Sequence, residues 1–142
     1  MEIHKLYKAP SKERQSTILK YYQSGDYKKA KQLALTLTEN FPNHPFGWKA
    51  LSILLKKTGK ISDSLDANQK IVQISPRDAE AHYNLGNTLK ALDRLEESET
   101  SYRQAITLKP NFAEAHYNLG IIFKETGRLK EAEASYKYTI AL

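Results

Sequence analysis

Residues 79–108 and 113–142 are near copies, AEAHYNLGNTLKALDRLEESETSYRQAITL and AEAHYNLGIIFKETGRLKEAEASYKYTIAL, sharing 17 of 30 residues at an offset of 34. Pro42, Pro76 and Pro110 stand at the same spacing, so the period reaches back through sequence that has otherwise diverged. Self-similarity at a fixed period of this length marks stacked structural units, each too small to bury its own apolar face. A chain built this way is a repeat array, and every further inference is constrained by that register.

The register follows from side-chain periodicity. In residues 79–112, His82, Leu85, Gly86 and Leu89 fall at i, i+3, i+4 and i+7, one face of an amphipathic helix. A break follows at Asp93-Arg94, with counterparts at Gly25-Asp26, Gly59-Lys60 and Gly127-Arg128. Glycine suits such a break because it takes the left-handed conformation that ends a helix. A second helix carries Leu95, Ser98, Tyr102, Ala105, Ile106 and Leu108, and Pro110 stops it for want of an amide hydrogen. The pattern predicts four helix pairs, in residues 11–44, 45–78, 79–112 and 113–142, behind an N-terminal extension of residues 1–10.

These residues resemble the tetratricopeptide repeat family, whose signature is a bulky residue, Leu-Gly, a large apolar residue, then small-x-x-x-aromatic and Pro. The signature reads His82, Leu85-Gly86, Leu89, Ser98, Tyr102 and Pro110, and again His116, Leu119-Gly120, Phe123, Ala132 and Tyr136. Residues 45–78 carry Trp48, Leu51-Ser52, Leu55, Ser64 and Pro76, with Asn68 in the aromatic place. Residues 11–44 keep Tyr21, Gly25, Ala30, Ala34 and Pro42 but have Arg14 and Thr17 where apolar residues are usual. The resemblance implies an all-α fold, a right-handed α-solenoid of four antiparallel helix pairs forming a single domain over residues 11–142. It also implies that the first helix of each pair lines a concave inner wall and the second an outer one.

Composition narrows the function classes. The chain has 142 residues and no cysteine, which removes disulfides and thiolate chemistry. The N-terminus lacks the apolar run of a signal peptide, and no stretch approaches the roughly 18 apolar residues of a membrane span. A cytoplasmic location is the simplest expectation. The net charge of +6 is carried by the N-terminal half: residues 11–44 and 45–78 contribute +3 each, residues 79–112 contribute −1, and residues 113–142 are neutral. Such a basic half could meet an acidic protein, nucleic acid or an anionic surface, or could simply solvate outer helix faces.

No catalytic set stands out. His82 and His116 share a column with Trp48, but neighbouring helices stand roughly 10 Å apart, too far to share a zinc ion bound at about 2 Å. They are expected to pack as polar-tipped side chains between helices. No phosphate-binding loop follows a strand, and Glu96, Glu97 and Glu99 are expected on an exposed helix face. The chain as given is read as a non-enzyme without metal or cofactor.

The wall that the resemblance places inside is then the candidate binding surface. Its residues are Lys49, Ile53 and Lys56 in the second repeat, Tyr83, Asn84, Asn87 and Lys90 in the third, and Tyr117, Asn118, Ile121 and Lys124 in the fourth. Asn84 and Asn118 share a column, and an amide there offers a donor and an acceptor to an extended peptide backbone. The column also resembles the repeat arm of O-linked N-acetylglucosamine transferases, although Ala50 and Ser16 interrupt it. Lys56, Lys90 and Lys124 form a parallel basic stripe.

Three readings follow: a module binding an extended, acidic or hydroxyl-rich peptide segment in its groove, the substrate-recruiting arm of a larger glycosyltransferase-like enzyme, and, least favoured, a nucleic-acid binder. At the ends, Ile3, Leu6 and Tyr7 are expected to form an apolar turn, and Ser11 to cap the first helix. Leu129, Ile140 and Leu142 leave an uncovered face suited to self-association through helix 129–142 or to a continuing chain. Gly86→Leu is expected to destabilise more than Asn87→Leu, because Gly86 is placed where two helices approach closely.

Overall fold

The computed structural model describes residues 9–142, so the expected turn of Ile3, Leu6 and Tyr7 lies outside the described residues. Eight helices run in order: α1 (Lys12–Gln23), α2 (Tyr27–Asn40), α3 (Pro45–Lys57), α4 (Ile61–Ile74), α5 (Ala79–Ala91), α6 (Leu95–Leu108), α7 (Ala113–Glu125) and α8 (Leu129–Ala141). Among the described residues there is no strand. The helices fall in two compact units, residues 1–75 and 76–142, each holding two helix pairs.

Three-residue breaks fold each pair back on itself. Gly25, Gly59 and Gly127 sit at φ 80°, 77° and 77°, in the left-handed region. The amide three residues beyond the helix end reaches back to close the turn: Lys60 N donates to Leu55 O at 2.8 Å and Arg128 N to Phe123 O at 2.7 Å. In the third pair Asp93 takes the same conformation, at φ 58°, as the only non-glycine among the described residues to do so. A side chain there costs roughly 1–2 kcal/mol of backbone strain, partly offset by its smaller loss of chain entropy on folding. Asp93→Gly is therefore expected to raise stability by about 0.5–1 kcal/mol, measured as a higher urea midpoint at unchanged slope.

Ser11 caps α1 by accepting from the Arg14 amide at 3.2 Å. The turns between pairs are held by the column of Trp48, His82 and His116. Trp48 Nε1 donates to the Pro42 carbonyl at 2.9 Å. His82 Nε2 and His116 Nε2 each lie 2.8 Å from the carbonyls of Pro76 and Pro110, six residues upstream. The ring nitrogen supplies a hydrogen-bond partner for a carbonyl at a helix-ending proline turn. The two histidines are thus more than packing side chains: they pin the turn that delivers each new first helix.

Within every pair one contact column decides how closely the helices approach. In the third pair it is Gly86 against Tyr102, and a Cβ on Gly86 would lie 2.7 Å from that ring. The same pairing recurs as Gly120 against Tyr136, at 2.6 Å. In the second pair the column holds Ser52 and Asn68, buried to 5% and 2%. Ser52 Oγ donates to Asn68 Oδ1 at 2.8 Å and lies 3.1 Å from Ser64 Oγ, so the polar substitution is satisfied internally. In the first pair it holds Ile18 and Ala34, both core residues. Large residue and small residue exchange helices along the chain.

Candidate functional site

In residues 1–75 the first helices α1 and α3 border a groove of about 760 Å³. Its floor is apolar, from Ile18, Leu19 and Tyr22 on α1 and from Phe46, Ala50, Ile53 and Leu54 on α3. Lys12, Gln15, Ser16 and Lys49 add polar atoms. Leu19 and Ile53 are each 54% exposed, an unusual state for large aliphatic side chains on adjoining helices. Of the residues expected here, Lys49 and Ile53 line the groove; Lys56 is exposed on α3 but does not.

The α1 contribution was missed although the repeat register contains it. Subtracting 34 carries Phe46, Lys49, Ala50 and Ile53 onto Lys12, Gln15, Ser16 and Leu19, all of them groove residues. Lys56 maps in the same way onto Tyr22. The weak family signature of the first repeat hid columns that simple arithmetic recovers.

In residues 76–142 the expected residues lie on α5 and α7. Asn84 is exposed, and among the described residues its side chain makes no hydrogen bond. Lys124 is exposed and Lys90 half-buried. Tyr83 is half-buried, its ring 4.8 Å from Phe112 and 5.9 Å from Tyr102. Asn118 Nδ2 donates to Tyr83 Oη and to Asn87 Oδ1, both at 3.1 Å. Asn87 Oδ1 also accepts from the Tyr102 hydroxyl at 2.7 Å.

Tyr83, Asn87 and Asn118 therefore tie α5 to α7. Tyr102 is fully buried, and burial pushes its hydroxyl up to about 12, so it stays protonated as the donor to Asn87. Asn87→Leu would strip that buried donor of its acceptor, so it is no mild control for Gly86→Leu. Ile121, in the Asn87 column, is half-buried, and Tyr117 is 52% exposed with its ring 5.7 Å from Tyr136.

The outer helices carry paired charges. Glu96 and Glu97 are exposed, but Glu99 departs from the expected exposed face: its side chain is 17% exposed. Its carboxylate accepts from Arg103 at 2.9 Å and from Arg128 at 2.7 Å. The guanidinium groups of Arg103 and Arg128 lie over the Phe123 ring, 5.4 and 4.5 Å from its centroid. The hydrogen bond from Arg128 holds the Glu131 carboxyl below its ordinary range. Among the described residues no three His, Asp or Glu side chains gather as a metal-binding group. No helix there is long and apolar enough to cross a membrane.

Comparison with known proteins agrees with this geometry. A family model described as TPR repeat matches residues 86–127, and one described as tetratricopeptide repeat matches residues 67–100. Repeats of the tetratricopeptide type are thus detected within residues 67–127. Among solved structures, a crystal structure of MamA is similar at 25% identity and a TM-score of 0.81, over 86% of this chain and 71% of that one. A second crystal structure of MamA protein is 24% identical, with a TM-score of 0.83 over 92% and 74% of the two chains. The structure of MamA from residue 41 to its end, from Desulfovibrio magneticus RS-1, is 22% identical, with a TM-score of 0.82 over 91% and 73%. No curated protein sequence matches the chain. The fold class is the all-α helical-repeat solenoid of those structures.

Proposed function

We propose that the chain is a protein-interaction module that holds a peptide segment on the faces of its first helices. The observation that carries this reading is the α1–α3 groove, with exposed Leu19 and Ile53 on its floor and Lys12 and Lys49 among its lining. A groove of this kind suits a segment with one or two bulky apolar side chains as anchors, flanked by acidic residues that complement the lysines. Within residues 76–142, Asn84, Lys90 and Lys124 on α5 and α7 are a polar surface of their own, belonging to that unit and not to the groove. Since the Asn118 amide nitrogen is engaged with Tyr83 and Asn87, donation to a ligand backbone falls to Asn84. The reading as a recruiting arm of a larger glycosyltransferase-like enzyme rests on the asparagine column, so the internal use of Asn118 favours the simpler module.

A random peptide library displayed against the full chain tests this. Selected peptides are expected to be enriched in Leu, Ile, Phe or Trp next to Asp or Glu. Leu19→Asp with Ile53→Asp should weaken them by about 2 kcal/mol or more, since the anchor then meets a charge. Lys130→Ala on α8 should change little. Peptides that bind equally to the doubly substituted chain would overturn the groove as the site.

A further inference from the structure

The two helix pairs of residues 76–142 carry the same columns 34 residues apart, yet their last faces differ in cover. On α5 and α6, Tyr83, Leu95 and Ile106 are half-buried. Their identical counterparts on α7 and α8 are exposed: Tyr117 by 52%, Leu129 by 66% and Ile140 by 85%. Identical residues in the same register separate the effect of sequence from that of what lies against them.

What lies against the first face is α7 with the residue before it. Phe112 and Ala115 pack with Ala105 on Tyr83 and Ile106. Leu119, Ile122 and Phe123 pack with Tyr102 on Tyr83, Leu95 and Ile106. Arg128, just past α7, closes the edge by donating to Glu99 on α6 at 2.7 Å. The Glu99 counterpart on α8 is Glu133, whose side chain is 63% exposed and is met by Lys137 of its own helix at 2.6 Å. The covered face is therefore a template for the occupant of the uncovered one.

We propose that the α7–α8 face docks a partner helix of the α7 type. That helix carries an aromatic residue, alanine, leucine and isoleucine at the spacing of Phe112, Ala115, Leu119 and Ile122, and a basic residue at the distance of Arg128. The apolar residues cover Tyr117, Leu129 and Ile140, and the basic one reaches Glu133. A second copy of the chain stacking head to tail does not supply this pattern. At the positions matching Ala115, Leu119 and Ile122, its α1 carries Glu13, Thr17 and Lys20.

The probe is a stapled, fluorescein-labelled peptide with the sequence of residues 109–128, stapled because a free helix of that length is marginal in water. Titrated with the full chain, it is expected to bind saturably. Ile140→Lys, at a residue exposed enough to leave the fold intact by circular dichroism, should weaken binding by about tenfold or more. Glu133→Lys should weaken it by about threefold, and a peptide in which Arg128 is replaced by Glu should recover that loss.

In the same chain, a second copy of residues 109–142 appended after Leu142 should slow amide exchange in α8. Absence of both binding and protection overturns the proposal, as does binding indifferent to Ile140→Lys. A concentration-dependent dimer in sedimentation, abolished by Ile140→Lys and resistant to the peptide, would assign the face to a second copy instead.

Discussion

Gly86→Leu is expected to lower the stability of the chain by about 1–3 kcal/mol, the usual cost of forcing a side chain into a filled interior. The first added atom already meets the Tyr102 ring, at 2.7 Å from two of its carbons. That ring is fully buried and cannot swing aside without breaking the bond from its hydroxyl to Asn87, so the helices themselves must part. Asn84→Leu, an exposed change on the same helix, should stay within about 0.5 kcal/mol. Urea melts of the two variants separate the cases. Restoring space with Tyr102→Ala beside Gly86→Ile, in imitation of Ala34 and Ile18, should recover part of the loss; a purely additive double variant would mean that the column is not the contact that sets helix spacing.

Asn68→Tyr should be the more damaging change, at about 3 kcal/mol. It puts an aromatic ring where Ser52 already occupies the space that glycine leaves open in the third and fourth pairs, and it removes the acceptor of the Ser52 hydroxyl. Adding Ser52→Gly is expected to return about half of that or more. The reason is visible in the third pair, where the Ser98 hydroxyl donates to the Gly86 carbonyl at 2.7 Å. Ser64, in the Ser98 column, can then turn to the carbonyl of residue 52 instead of being left without a partner. A double-mutant cycle should give a coupling within about 0.5–3 kcal/mol. No coupling would show that the polar trio and the glycine–tyrosine pair are not alternative solutions to one packing problem.

The departures from the repeat pattern acquire a physical meaning through these pairs. Asn68 in place of an aromatic residue and Ile18 in the column of glycine look like erosion when each position is read alone. In the structure each is matched across the helix pair, because the interior must be filled to near-crystal density whichever helix supplies the volume.

Sequence alone determined the helices and their breaks, since both rest on local chemistry: a 3.6-residue apolar period, a left-handed residue at each turn, a proline after the second helix of each of the first three pairs. It also determined which columns face which, because a 34-residue period carries one register through the chain. Tertiary structure decided what each column does. Trp48, His82 and His116 look alike as bulky residues, and only the folded turn shows that they hold proline carbonyls. Asn118 reads as a free amide until α5 brings Tyr83 and Asn87 to it. Leu19 and Ile53 lie 34 residues apart in the sequence, and the groove they floor exists because α1 and α3 stand side by side. A side chain's exposure depends on the volume and polarity of what lies opposite, and that partner comes from another helix.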